Sequence, residues 1–306
     1  GEQHAAGLAA NDNTAATVSN MTDRAQRILT SVRNSISITA KDVRIAVGRA
    51  KEETAAGPDQ IKPWLLRIAF ETCPDERIMH IAADLFSRIA SGYFTPKVGA
   101  VFATGSVIGL WKTPPDPKTG ECDITKQRPI VITPGLRRLY ARCVAVAQQG
   151  AIDRLVRDHQ LGVAPGGAEV GAHLTRHLIK VCKQKGLVLS NYDLRNAFNN
   201  MSRNLTLMQA QIHCPELVPT LYWLYRDATV LHTAAGVDIM AYTGGQQGCA
   251  LTNLAFALVG MYIVERLDHP EMSYKYLYWD DSTFAGTPVA QDWASRQLMR
   301  GENRWG

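Results

Sequence analysis

Apolar residues recur at helical spacing early in the chain. Over 60–71 and 75–91, Ile, Leu, Phe and Met return every three or four positions, which predicts two helices, the second stopped by Gly92. Before them, "TAKD" at 39–42 has the spacing of a capping box and opens a helix in "VRIAVGRAKEE", broken by "AAGPDQ" at 55–60. The pattern then shortens: "AVFATGSVIGLW" at 100–111 reads as a strand, "KTPPDPKTGECD" as a turn-rich loop, and "QRPIVITP" at 127–134 as a second strand ended by Pro134. Leu, Val and Ile alternating with Arg predict a long helix over 136–160. "GVAPGGAEVG" at 162–171 is a glycine-rich loop opening another helix to about residue 184.

The second half is read the same way. A compact apolar strand, "GLVLSNYD", ends at Asp193, and two short helical segments over 203–226 are split at Pro215 and Pro219. A hairpin is predicted over 228–243, and "GGQQGC" opens an apolar helix over 250–267. "YKYLYW" at 274–279 and "STFAG" at 282–286 form a second hairpin with Asp280 and Asp281 at its tip, and "AQDWASRQLM" is a short amphipathic helix. Helices and strands mix without regular alternation, so the fold class is α+β rather than a doubly wound sheet.

Composition narrows this picture. At 306 residues, with 46% hydrophobic and 20% charged positions, the chain can bury a full core. Residues 1–20 are rich in Ala, Asn and Thr, and the segment 1–38 is assigned to a flexible N-terminal arm. A net charge of +5 suits a nucleic-acid partner without requiring one, because the basic residues are spread out. The six cysteines form no CxxC pair, which argues for reduced, intracellular thiols. The most apolar window, 250–264, is short for a bilayer and carries Thr252 and Asn253, so a buried helix and no membrane partner are expected.

Adjacent aspartates at a hairpin tip repel each other, and the bland reading is a solvated turn. Asp193 changes that, because it adds a third carboxylate at the end of an apolar strand. Three acids on two neighbouring strand ends would bind a pair of divalent cations, Mg²⁺ above all, which takes one or two carboxylates and completes its shell with phosphate oxygens. Two such ions suit an in-line phosphoryl displacement.

Here the chain resembles a known family. "YWDD" is similar to the Tyr-x-Asp-Asp motif of reverse transcriptases, "DLRNAFNN" to their first catalytic motif, and "GGQQGCALTNLAFAL" to their Gly-x-x-Gln-Gly motif with its following helix. Upstream, "AAGPDQI", "QRPIVI" and "GVAPGGAEVGAHLTRHLI" resemble stretches of non-LTR retrotransposon polymerases. The resemblance covers about residues 50–286. It implies a right-hand polymerase, with fingers and the start of the palm over 39–188 and palm over 189–306, the thumb absent and the chain a piece of a longer product.

The resemblance also implies roles. Asp193, Asp280 and Asp281 become catalytic metal carboxylates for two Mg²⁺ ions, with Mn²⁺ as a substitute, and Asp193 and Asp280 are the principal ligands. Phe198 falls where the family places an aromatic gate against the 2′-hydroxyl. Gln247 and Gly248 match the template-side loop, Arg128 the triphosphate clamp, and Lys112 adds a second positive charge. Tyr278 opens the acidic motif beside the primer. Implied partners are an RNA template, a DNA primer and dNTPs, with nuclear action, while the glycines at 162–171 become a mobile template-side loop. An indole at 279 is expected to crowd the primer terminus unless a neighbour makes room.

Other readings stand beside this one. They are a catalytically silent nucleic-acid-binding remnant, a viral RNA-dependent RNA polymerase, and a metal-free structural protein. His173 and His177, four apart on a helix, lack the HExxH glutamate and read as a surface pair. Arg137, Arg138 and Arg142 are candidates for phosphate contact or for a solvated helix face.

Overall fold

Thr39 accepts the Asp42 N–H at 3.3 Å and Asp42 accepts the Thr39 N–H at 2.8 Å, so the expected capping box forms and starts α1, Ala40–Gly48. The helix ends there, short of the "AAGPDQ" break. The computed structural model describes residues 35–301, apart from 74, 94, 115–118, 121–126, 157–158 and 195. Most of the expected arm, residues 1–34, therefore lies outside the described residues. Its last part is not an arm: Ile36 and Ile38 are buried, and the Ile38 N–H donates to Ser87 Oγ at 2.9 Å.

Helices α2, Pro63–Thr72, and α3, Arg77–Ala90, follow the predicted periodicity. Met79, Ala82, Ala83, Phe86, Ile89 and Ala90 form one buried stripe on α3. The first third of the expected strand over 100–111 is helix. Thr95 accepts the Val98 N–H at 3.4 Å and starts α4, Pro96–Ala103, before β1, Gly105–Trp111, begins. Strand β2 is Gln127–Ile132, and α5 is Gly135–Val156. Asp59 of "AAGPDQ" accepts the Gly135 N–H at 2.7 Å, which ties that turn to the start of α5.

The remaining elements are α6, Gly167–Lys185; β3, Val188–Asp193; α7, Ala197–Asn200; α8, Arg203–His213; and α9, Val218–Tyr225. They continue with β4, Thr229–Thr233; β5, Asp238–Ala241; α10, Ala250–Arg266; β6, Met272–Tyr278; β7, Asp281–Gly286; and α11, Pro288–Gly301. The fold is α+β, as expected. One sheet has the order β2-β1-β4-β5, with β1 and β4 parallel and the other pairs antiparallel. The other is antiparallel throughout, in the order β3-β7-β6.

The segments before and after residue 188 share the first sheet, and one core runs from Ile36 to Ala294. Helices α5 and α10 pack together within it. Helix α10 buries residues all round, including Leu251, Leu254, Phe256, Leu258, Val259 and Ile263, each contributing roughly 1.5–3 kcal/mol by burial. Among the described residues, no helix is long and apolar enough to cross a membrane.

The three-stranded sheet carries helices α6 and α11 against its central strand. Small residues flank Phe284 along β7: Ser282, Thr283, Ala285 and Gly286 are buried with it. Gln291 of α11 donates to the carbonyls of Val188 and Phe284 at 3.2 and 2.9 Å, which fixes the helix against β3 and β7.

Candidate active site

The register of that sheet decides where the acids stand. Asp193 pairs with Asp281 across β3 and β7, so both carboxylates share one face of the sheet. Asp280 lies in the two-residue turn between Tyr278 and Asp281, which pair across β6 and β7. Asp193 and Asp281 are exposed and Asp280 is half-buried. Burial raises the Asp280 carboxyl above its ordinary value; its own backbone N–H opposes this, Asp281 and Asp193 add to the rise, and Arg128 opposes it. Asp280 therefore senses Asp281 and Asp193, the latter 87 positions away in sequence, and Arg128.

The turn itself is strained. Trp279 has φ +55°, a region uncommon for a bulky residue and worth about 1–3 kcal/mol in cost. Three contacts hold it. Gln160, fully buried, accepts the Trp279 N–H at 2.9 Å and donates to the Trp279 carbonyl at 3.4 Å. On the far side, the Leu194 N–H donates to the Asp280 carbonyl at 3.3 Å. The indole lies on Gly162, where an added Cβ would meet three ring atoms at 2.6–2.8 Å. Gly162 is the neighbour that makes room for Trp279.

That placement corrects the reading of 162–171 as a mobile template-side loop. The segment starts in a 3-10 turn, Leu161–Val163, and is docked against the acidic hairpin. His159 accepts the Leu277 N–H at 2.6 Å, and Gln160 bridges Leu277 in parallel, covering the outer edge of β6.

Phe198 joins the other motifs. Its ring stacks on Phe256 of α10 at 4.5 Å and stands 6.1 Å from the Trp279 ring. Its carbonyl accepts the Gly245 N–H at 2.8 Å. Gly244, at φ +68°, runs so close to α7 that a Cβ would sit 2.0 Å from the Asn199 carbonyl oxygen. Phe198 is half-buried, both core aromatic and rim of the turn.

The two glutamines of "GGQQG" divide. Gln246 is buried and donates to the Ala103 carbonyl at 2.6 Å. Gln247 is half-buried and its carbonyl accepts the Val131 N–H at 3.0 Å, docking the loop onto the free edge of β2, while Gly248 is exposed. Arg128, exposed on that strand, pairs with Leu110 of β1, and exposed Lys112 follows at the open end of the same ribbon. Tyr278 is half-buried against the Leu161, Leu178 and Tyr276 cluster, so packing is its visible role.

Arginine roles needed correction. Arg137 touches no solvent: it donates to the carbonyls of Phe102, Ala103 and Thr104 at 3.2, 2.8 and 3.4 Å, so it is neither a phosphate contact nor a solvated charge. Arg138 is half-buried and donates to the Ala55 carbonyl at 2.7 Å. Arg203, which drew no attention in the sequence, is buried and donates to the carbonyls of Gly244, Asp227 and Ala241 at 2.9, 2.9 and 3.1 Å. Burial pulls its guanidinium down to about 10. His173 and His177 stand exposed on α6.

Among the described residues, no three His, Cys, Asp or Glu side chains converge closely enough to form a metal-holding group. The donor set at Asp193 and Asp280 fits a different kind of site. Hard oxygen ligands, an Asp280 carboxyl raised by burial and then by its neighbouring carboxylates, and open solvent on Asp193 suit Mg²⁺ sharing its shell with a substrate, not a closed protein cage. Compared with family models and with curated proteins, the chain matches none.

Proposed function

We propose that the chain carries the nucleotidyl-transfer face of an RNA-directed DNA polymerase of the non-LTR retrotransposon kind, with an RNA template, a DNA primer and dNTPs as partners and nuclear action. The observation that carries this reading is the in-register placement of Asp193 against Asp281, with Asp280 in the adjoining turn. Phe198 abuts the same turn and its carbonyl anchors the 244–249 loop, which supports it further.

Asp193 and Asp280 would hold the divalent cations, Mg²⁺ or Mn²⁺, whose chemistry is Lewis-acid stabilisation of an in-line phosphoryl displacement. The chain's own groups account for the rest. Arg128, on the strand facing Asp280, offers a planar fork for the triphosphate. Phe198 sets a flat ring beside the turn, leaving no room for a ribose 2′-hydroxyl. Gln247, anchored by its carbonyl to β2, has its side-chain amide for a template sugar or base edge. The primer 3′-hydroxyl attacks the α-phosphate of the dNTP and pyrophosphate leaves.

The indole of Trp279, which stands 6.1 Å from the Phe198 ring at the acidic turn, favours one second reading, nucleic-acid binding without catalysis. Primer extension on an RNA template with Mg²⁺ and dNTPs separates the two. Incorporation by the native chain, abolished in Asp280→Asn, supports the polymerase. Salt-dependent primer–template binding with no incorporation, even in Trp279→Ala, supports the binding-only reading.

A further inference from the structure

The side chain most closely engaged with the acidic turn is one that the resemblance assigns no role. Gln160 has no solvent exposure and lies 119 positions from its partner Trp279. Its Oε1 accepts two backbone N–H groups, from Trp279 at 2.9 Å and from Gly162 at 3.0 Å, while Nε2 donates to the Trp279 carbonyl at 3.4 Å. One amide thus serves both polar groups of the strained residue and pins the segment that carries Gly162. No hydroxyl, carboxylate or apolar side chain of similar length can both accept at one end and donate at the other.

We propose that Gln160 is a positioning residue that fixes the 278–281 turn, and with it the Asp280 carboxylate, for nucleotidyl transfer. The inference rests on the polymerase reading for its functional consequence, but the clamp itself stands on the geometry. Three features converge on it. The φ of +55° at Trp279 needs an outside constraint to persist. Asp280 follows directly, and on the other side the Leu194 N–H holds its carbonyl. Strand β6 is a sheet edge, and His159 and Gln160 alone bridge to it at Leu277 among the described residues. Loss of the amide leaves the Trp279 and Gly162 N–H groups without their acceptor and releases the turn on the β6 side.

The test compares the native chain with Gln160→Met, which keeps length and bulk, and Gln160→Glu, which keeps the acceptor. All are labelled with 5-fluorotryptophan, and the Trp279 resonance is assigned by Trp279→Phe. In Gln160→Met the Trp279 resonance should shift or broaden while those of the other five tryptophans stay. Extension kcat should fall about 10- to 100-fold at an unchanged dNTP KM, the size of effect expected from a misplaced reacting group. Gln160→Glu should lie between the two in both readouts. An unmoved Trp279 resonance with native kcat in Gln160→Met overturns the inference, as does loss of all six resonances together, which would make Gln160 a general fold determinant. A native chain that extends nothing overturns the polymerase reading instead, and the fluorine spectrum then judges the clamp alone.

Discussion

Asp193 and Asp281 stand opposite each other in the antiparallel pairing of β3 and β7, two like charges on one face of a sheet. Like charges placed so are destabilising in any fold that does not use them. Replacing one by its neutral isostere should therefore raise thermal stability while abolishing nucleotide incorporation. We expect Asp193→Asn to keep or raise the Tm and to lower extension by at least about 10²- to 10³-fold. A variant that loses Tm together with activity would argue that Asp193 is structural.

Asp280 supplies a pH dependence whose sign follows from its raised carboxyl. The native state holds that proton more tightly than the unfolded chain does, so ionisation costs native stability. The contribution is present below the ordinary value of 3.8 and is lost as pH rises through the raised native value. Asp280→Asn, uncharged throughout, should lack that fall. Urea midpoints near pH 4 and near pH 8 would show it as a smaller drop than in the native chain. Mg²⁺ should stabilise the native chain at the higher pH and leave Asp280→Asn unmoved.

Gly162 and Trp279 should behave as one unit. An alanine at 162 drives its Cβ into the indole, at a cost of about 1–3 kcal/mol. In a Trp279→Ala background the same change should cost close to nothing, because the ring that obstructs it is gone. A double-mutant cycle by urea unfolding should return a coupling of about 1 kcal/mol or more. Additive effects would mean that the two residues do not share the space between the Leu161–Val163 turn and the hairpin.

How much of this was legible beforehand depended on how far apart the interacting residues lie. The Thr39 capping box, the α3 stripe and the acidic hairpin rest on neighbours in sequence, and all three formed. "PKVGAVFA" misled because small and β-branched apolar residues fit a strand as well as a short helix, and only the cap at Thr95 decides. Arg137 looked like a surface cation on a helix, since nothing local shows that the carbonyls of 102–104 end beside it. Gln160 was invisible for the same reason. The pattern puts it at the end of a helix over 136–160, which in fact stops at Val156, and no local feature shows that residue 160 meets the hairpin 119 positions on.

Phe198 tests the sugar preference. Its stack on Phe256 means that Phe198→Ala will cost stability, about 3–5 kcal/mol if the ring behaves as a core aromatic. Stability alone does not alter the ratio of kcat/KM for dNTP over rNTP, so that ratio is the measurement. Removing the ring should lower it about 10- to 200-fold, the range a hydrophobic pocket can discriminate. An unchanged ratio with a lowered Tm would return Phe198 to the core and remove it from the site.

Arg203 offers the sharpest test of how the 244–249 loop is held. Its guanidinium binds the carbonyls of Gly244, Asp227 and Ala241 and lies over the Tyr225 ring at 5.4 Å, joining α8, α9, β5 and the glycine turn. Backbone carbonyls, the Tyr225 ring and the nearby Asp227 carboxylate together stabilise the buried charge. Arg203→Met leaves those acceptors without their donor in a closed interior and should destabilise the protein by about 3–5 kcal/mol. Arg203→Lys should recover only part of that, because an ammonium cannot reproduce the fork that spans separate carbonyls. Urea unfolding of the two variants gives the ranking. Equal stability of lysine and native arginine would show that charge, not the geometry of the fork, is what the loop requires.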